Sequence, residues 1–219
     1  MINELENEII NCNKCSRLSA YIKLVALEKK PKYRDFEYWG KPLPGFGDPK
    51  AKLLIVGLAP AAHGGNRTGR VFTGDKSGER VFRALYEIGF SSSPKSESRE
   101  DLVELKGVYI TNAVKCAPPR NVPTIEEITN CSYFLNREIQ LLTDLKVILT
   151  LGRISFEAIT YVLNVHGKFS HMATYKVGKT TIIASYHPSQ QNFISGRLTW
   201  EKWINVFKKI KSLLDSDNA

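Results

Sequence analysis

Lys52-Leu53-Leu54-Ile55-Val56-Gly57-Leu58 is a short, unbroken apolar run with a glycine near its end. A strand with one wet face alternates apolar and polar residues. A strand covered on both faces does not, and strands of that kind belong to parallel sheets under helices. Ser77–Gly89 follows with Val81, Phe82, Leu85 and Ile88 at helical spacing. Gly107–Val114 (GVYITNAV) and Lys146–Leu151 (KVILTL) read as further strands. Thr124–Leu142 lies between them as a helix, opened by the capping box of Thr124-Ile125-Glu126-Glu127. A helix over Ser155–Leu163 precedes a hairpin, Thr174–Val177 and Thr180–Tyr186, turning at Gly178-Lys179. Trp200, Trp203, Ile204, Phe207, Ile210 and Leu214 line one face of a last helix. Ser91–Ser98 is polar and turn-rich and reads as a surface connection. The tail Asp215–Ala219 is expected to fray.

Strands alternating with helices predict an α/β fold: one domain over residues 1–219, with a mostly parallel four-stranded central sheet and helices on both faces. Ligands of such sheets bind beyond the carboxyl ends of the strands. The residues to read for chemistry therefore follow Leu58, Val114, Leu151 and Tyr186.

Composition narrows the class. The chain has 219 residues, 42% of them hydrophobic, enough to bury a core. No apolar run is long enough to span a bilayer, so no membrane partner is expected. The start, Met1-Ile2-Asn3-Glu4-Leu5-Glu6, is acidic where a signal peptide is basic and then apolar. A cytoplasmic, nucleoid-associated location and a monomer are expected. Thirty-one Lys and Arg against 22 Asp and Glu give +9, a balance that attracts polyanions and makes nucleic acid a natural partner.

Only four cysteines occur: Cys12 and Cys15 as C-x2-C, and Cys116 and Cys131 fourteen residues apart. Cys116 follows the second strand and Cys131 lies on the next helix, so these two can face one point. Four thiolates at one point make a metal site. Disulfides are disfavoured by the expected compartment. Structural zinc sites usually use two close pairs, and the wide second pair favours iron–sulfur without deciding it.

The loop after the first strand runs Gly57-Leu58-Ala59-Pro60-Ala61-Ala62-His63-Gly64-Gly65-Asn66-Arg67-Thr68-Gly69-Arg70-Val71-Phe72-Thr73-Gly74-Asp75. It is neither a Walker loop nor a dinucleotide fingerprint. A long polar loop at this edge of a sheet is more often functional than not. Its blander reading gives Asp75 or Ser77 a helix-capping role. Asn112 sits near the end of the second strand and Asn121 in the Pro-rich turn beyond it. An asparagine amide can match a pyrimidine edge, and it is also ordinary turn chemistry. His187, at the end of the last strand and stiffened by Pro188, is placed to donate to a ligand.

Together these pieces resemble the uracil-DNA glycosylase superfamily, and most closely its family 5, the iron–sulfur type B enzymes. Gly57–Ala61 with His63–Arg70 and Phe72–Asp75 looks like motif 1 of that family. His187-Pro188-Ser189 with Asn192 looks like motif 2, and Asn112–Cys116 and the spacing of the cysteines also match. Ala59 stands where better-known relatives carry a water-activating Asp or Asn. Leu58 stands where family 4 carries Glu.

The resemblance implies removal of uracil, and in this branch also hypoxanthine and other deaminated bases, from DNA. It implies a 4Fe–4S cluster on Cys12, Cys15, Cys116 and Cys131. It assigns His187 to uracil O2, Asn112 to the base edge and Phe72 to stacking. Leu58, Ala59 and Ala61 supply backbone donors, and His63 lies beside the base. With Ala59 unable to activate water, Asp75 is the first substitute and Asn121 the second. Ser189, Gln190 and Asn192 would pinch the DNA, with Arg67, Arg70 and Lys115 on phosphates. The rival readings are a non-catalytic nucleic-acid-binding module with a structural metal, and a hydrolase of free nucleosides or nucleotides.

Overall fold

The computed structural model describes residues 2–216, so the last three residues of the tail expected to fray lie outside the described part. Two helices come first, α1 (Ile2–Ile10) and α2 (Ser16–Glu28), and the C-x2-C pair lies in the turn between them. The sheet begins with β1 (Phe46–Gly47) and β2 (Leu53–Gly57). The long loop after β2 contains one short helical turn, α3 (Gly65–Thr68), and leads into α4 (Lys76–Glu87). Then come β3 (Val108–Asn112), α5 (Ile125–Leu141), β4 (Val147–Leu151) and α6 (Arg153–Val162). The hairpin β5 (Thr174–Val177) and β6 (Thr180–Ser185), the short α7 (Gln190–Ile194) and the long α8 (Trp200–Ser216) complete the chain.

The sheet order is β1-β3-β2-β4-β6-β5. The inner four strands run parallel, and β1 and β5 close the edges antiparallel. A mostly parallel sheet of four strands was expected. The full sheet has six because the hairpin supplies an edge and because Phe46–Gly47, too short to show a period, pairs with β3.

All five residues of β2 are buried, which is why its sequence does not alternate. Leu53 and Ile55 join the core under α4 and α8, with Val81, Phe82, Trp203 and Phe207. Leu54 and Val56 join the opposite core, with Leu135 of α5 and Phe156 and Ile159 of α6. The helix starts follow local chemistry. Thr124 Oγ1 accepts from the Glu127 amide at 3.2 Å, and the Glu127 carboxylate accepts from the Thr124 amide at 2.8 Å, closing the expected capping box.

The segment expected as a free surface connection is instead folded onto the loop after β2. Ser96 is buried, its Oγ 2.8 Å from Thr73 Oγ1. Among the described residues no helix is long and apolar enough to cross a membrane.

The chain leaves β2 toward β3 on one side and returns to β4 on the other. The crevice beyond the carboxyl end of β2 is therefore the topological switch point, where α/β sheets bind ligands.

Candidate active site

A cavity of about 370 Å3 opens at that switch point. Leu58, Ala59, Pro60 and Ala61 reach it from the end of β2, and Asn112 from the end of β3. His187, Ser189 and Gln190 come from the exit of β6, Phe72, Asp75, Lys76 and Ser77 from the approach to α4, and Asn121 from the turn before α5. Ten of the residues expected to act on the base or the DNA thus line one cavity: Leu58, Ala59, Ala61, Phe72, Asp75, Asn112, Asn121, His187, Ser189 and Gln190.

Close backbone approach shapes the floor. Gly57 pairs with Asn112 in the sheet, and a Cβ on Gly57 would overlap both Asn112 Oδ1 and the Phe72 ring. Phe72 adopts a left-handed backbone, φ 51°, uncommon for an aromatic residue. Gly78 makes this possible, because a Cβ there would overlap the Phe72 carbonyl. The first turn of α4 therefore lies directly against Phe72.

Asp75 caps that turn, and it also faces the cavity. Its Oδ1 accepts from the amides of Ser77 and Gly78, both at 2.9 Å. No described residue donates to Oδ2, which lies toward Gly64, where a Cβ would collide with it. One oxygen holds the helix and the other is available to a water. Burial pushes the Asp75 carboxyl above the ordinary carboxylate range, against the pull of the two amides.

His187 stands across the cavity. Burial, with Arg80 next, pulls its pKa down to about 4 from the ordinary 6.5, so the ring is neutral at neutral pH and can donate one N–H. Its backbone is held from two sides. Asn192 Nδ2 donates to the His187 carbonyl at 2.8 Å, while Ser189 caps α7 by accepting from the Asn192 amide. Arg80 Nη1 donates to the Pro188 carbonyl at 3.0 Å, and its guanidinium lies 4.2 Å from the Phe193 ring centre. Asn121 and its neighbour Arg120 both have left-handed backbones, φ 58° and 56°. Arg17 Nη2 donates to the Val122 carbonyl just beyond them and pairs with Glu127, which ties this strained turn to α2.

None of the four cysteines forms a disulfide. Cys15, Cys116 and Cys131 meet in one small apolar cluster with Leu18, Ile22 and Val114, and Cys12 packs beside it against α1 and Phe134. Burial, reinforced by the other three thiols, pushes Cys116 well above the ordinary thiol range. Burial raises Cys131 to about 11. Among the described residues no group of three or more His, Cys, Asp or Glu is arranged to hold a metal ion.

With the geometry in place, the comparisons decide the family. A family model described as the uracil DNA glycosylase superfamily matches residues 44–211. The chain belongs to that superfamily. A type-5 uracil-DNA glycosylase of Pyrobaculum aerophilum is 43% identical over 94% of this chain and 91% of its own length. One of Thermus thermophilus is 45% identical over 92% and 93%. A type-4 uracil-DNA glycosylase of Sulfurisphaera tokodaii is 31% identical over 86% and 74%.

Several residues expected at the DNA prove to be internal supports of this glycosylase fold. Lys115 is buried, with its side chain 1% exposed, and pairs with Glu138 at 2.7 Å. Its ammonium also donates to Thr111 Oγ1 and to the Asn112 carbonyl, so it fixes the strand end that presents Asn112 and cannot reach a phosphate. Arg70 is buried beside Phe46 and donates to Ser96 Oγ and to the carbonyls of Arg99 and Asp101. Arg67 is buried, donates to the carbonyls of His63 and Gly74, and lies 4.2 Å from the Tyr33 ring centre. A buried cation needs internal acceptors, and these three have theirs. His63 lies outside the switch-point cavity, its Nδ1 3.0 Å from Tyr38 Oη. Asn192 supports His187 through its backbone.

Arg80 was missed in the sequence, because a lone arginine on a helix carries no signal of what it holds. In Arg80→Met the loop carrying His187 loses its clamp and the cationic neighbour. The expected outcome is a roughly 100-fold slower single-turnover reaction, the order that a misplacement of about 1 Å costs. A His187 pKa raised from about 4, read by NMR titration, should accompany it.

Proposed function

We propose that this protein hydrolyses the N-glycosidic bond of uracil in DNA, leaving an abasic site. The observation that carries the reading is the meeting of neutral His187, Asn112, Phe72 and Asp75 in one cavity at the switch point of the sheet. The family match and the printed names of the relatives support it.

A paired, stacked base must leave the duplex to enter such a cavity. Phe72 offers the flipped ring a stacking face, and the Asn112 amide its polar edge. Bond cleavage leaves a sugar with oxocarbenium character and growing negative charge on the departing uracil. The His187 N–H and the backbone amides of Leu58–Ala61 stabilise that charge. Ala59 has no group to activate water, so Asp75 Oδ2 positions the attacking water and its carboxylate faces the sugar cation. Asn121, lining the same cavity, assists. Ser189 and Gln190 border the mouth and contact the flanking DNA. The proposal extends to hypoxanthine and other deaminated bases, because the Ala59 methyl leaves that wall short. A monomer in the cytoplasm suffices.

We assign the cysteines to a 4Fe–4S cluster. None is in a disulfide, three share one apolar cluster and Cys12 packs beside it, and a cluster of several irons spreads its thiolates further apart than a single ion does. When bound, the cluster supplies a scaffold joining the α1–α2 turn to α5 and to the segment after β3. The chemistry runs on His187 and Asp75. Anaerobically purified protein should be brown, with iron and acid-labile sulfide in equal amounts, and Cys131→Ser should lose both. Colourless protein carrying zinc would refute the cluster.

Release of free base separates this reading from its rivals. The protein should free uracil from an oligonucleotide and leave deoxyuridine intact. Cleavage of deoxyuridine alone would mark a nucleoside hydrolase, and cleavage of neither a binding module.

A further inference from the structure

With Arg67, Arg70 and Lys115 spent inside the fold, the charge that meets DNA near the cavity must come from elsewhere. Lys29-Lys30-Pro31-Lys32-Tyr33-Arg34 carries four basic residues in six, and the structure sets it beside the base cavity. A second cavity of about 490 Å3 is lined by Lys30, Lys32, Tyr33, His63 and Gly64. It shares Ala61, Asp75, Lys76 and Asn121 with the first, so the two are continuous.

The basic run is a fixed hook. Pro31–Tyr33 forms one tight helical turn, with the Tyr33 amide donating to the Lys30 carbonyl at 2.8 Å. Lys29 Nζ donates to the Arg34 carbonyl, and Arg34 Nε to the Pro31 carbonyl. Those two cations are used to hold the turn. Lys30 and Lys32 remain exposed and, among the described residues, form no ion pair. Tyr33 lies between the Lys32 ammonium, 4.4 Å from its ring centre, and the buried Arg67 guanidinium. Arg67 thus supports the hook from below. Carboxylates are also present: Glu79 faces this cavity but pairs with Lys76 at 2.9 Å, and Asp75 lies at the junction with the base cavity.

We infer that this groove seats the backbone of the damaged DNA strand beside the flipped nucleotide, with Lys30 and Lys32 on its phosphates. The inference rests on the function proposed above and names the surface that feeds its site. Lysines on a short turn suit this task, since phosphate contacts position a strand without reading its sequence. His63, which lines the same groove, offers its ring to the sugar or the adjoining base.

The test compares the parent with Lys30→Ala/Lys32→Ala. The control, Lys176→Ala/Lys179→Ala, removes the same charge at the far end of the sheet, where Lys176 pairs with Thr181 and Lys179 lies in the turn. Kd is measured by fluorescence anisotropy across salt, on a duplex carrying one tetrahydrofuran abasic analogue. Each phosphate contact contributes roughly 0.9 to the log–log salt slope, so the groove variant should flatten it by about two units. Its Kd penalty should then shrink about tenfold between 50 and 200 mM salt. The control should keep both the parental slope and the parental single-turnover rate. An unaltered slope in the groove variant, or an equal change in the control, would overturn the inference. So would a lost saturating rate with unchanged Kd. Because the parent's own excision is measured alongside, failure of the proposed function shows separately, as a parent that frees no uracil. If the alanine pair perturbs folding, Lys30→Gln/Lys32→Gln keeps the stems and is read the same way.

Discussion

Asp75→Asn is expected to slow single-turnover uracil excision by about two to four orders of magnitude, the usual worth of a positioned general base, while leaving the fold intact. Asparagine caps a helix nearly as well as aspartate, so the bonds from the Ser77 and Gly78 amides persist. Asp75→Ala removes both roles. It should lose similar activity and also about 1 kcal/mol of stability, or roughly 2–4 °C in Tm for a chain of this size. The carboxyl's raised pKa makes the charged form costly, so stability declines slightly as pH rises through that titration, and Asn removes this cost. Activity that needs the carboxylate should fall on the acid side, starting above the ordinary carboxylate range. A protein that keeps its rate as Asp75→Asn would reduce Asp75 to a helix cap.

His187→Ala is expected to cost about 100- to 1,000-fold in the chemical step, as removal of one donor to a developing oxyanion does. Binding of an abasic duplex should change little. With a folded pKa of about 4, His187 is neutral throughout the physiological range, so the rate should show no step near 6.5 from this residue. Between pH 6.5 and about 4 the unfolded chain binds a proton that the folded chain does not, so stability falls as pH drops through that window. His187→Ala should flatten that part of the stability profile. A rate that tracks a group near 6.5 in the parent and loses that dependence in the variant would show the imidazolium to be the active form.

How much of this was legible in the sequence depends on the kind of signal. Lys52–Leu58 and Lys146–Leu151 declare buried strands because parallel strands need apolar residues at every position. Asn112, Asp75 and His187 could be placed at one cavity because each stands at a strand end or a helix start, while the roles expected of them came from the resemblance. The inward turn of Arg67, Arg70 and Lys115 was not legible. Their acceptors include carbonyls 29 and 31 residues away for Arg70, and a glutamate 23 residues away for Lys115. A cation in a polar loop looks the same whether it faces water or a distant carbonyl. Phe46–Gly47 escaped for a simpler reason, since two residues show no period. The hook at Lys29–Arg34 lies outside every strand end, and a basic run in a connection carries no signal of the cavity it borders.

The cavity beyond β2 is proposed to excise uracil from DNA. The most direct measurement is alkali-induced strand scission of a duplex carrying one uracil, under excess purified enzyme, for the parent and for Asp75→Asn/His187→Ala. Scission is expected at the uracil position with the parent, none in a thymine-containing control, and scission slowed by at least two orders of magnitude in the double variant. Scission that persists at the parental rate in a folded double variant would contradict it, as would a parent that leaves the uracil strand intact.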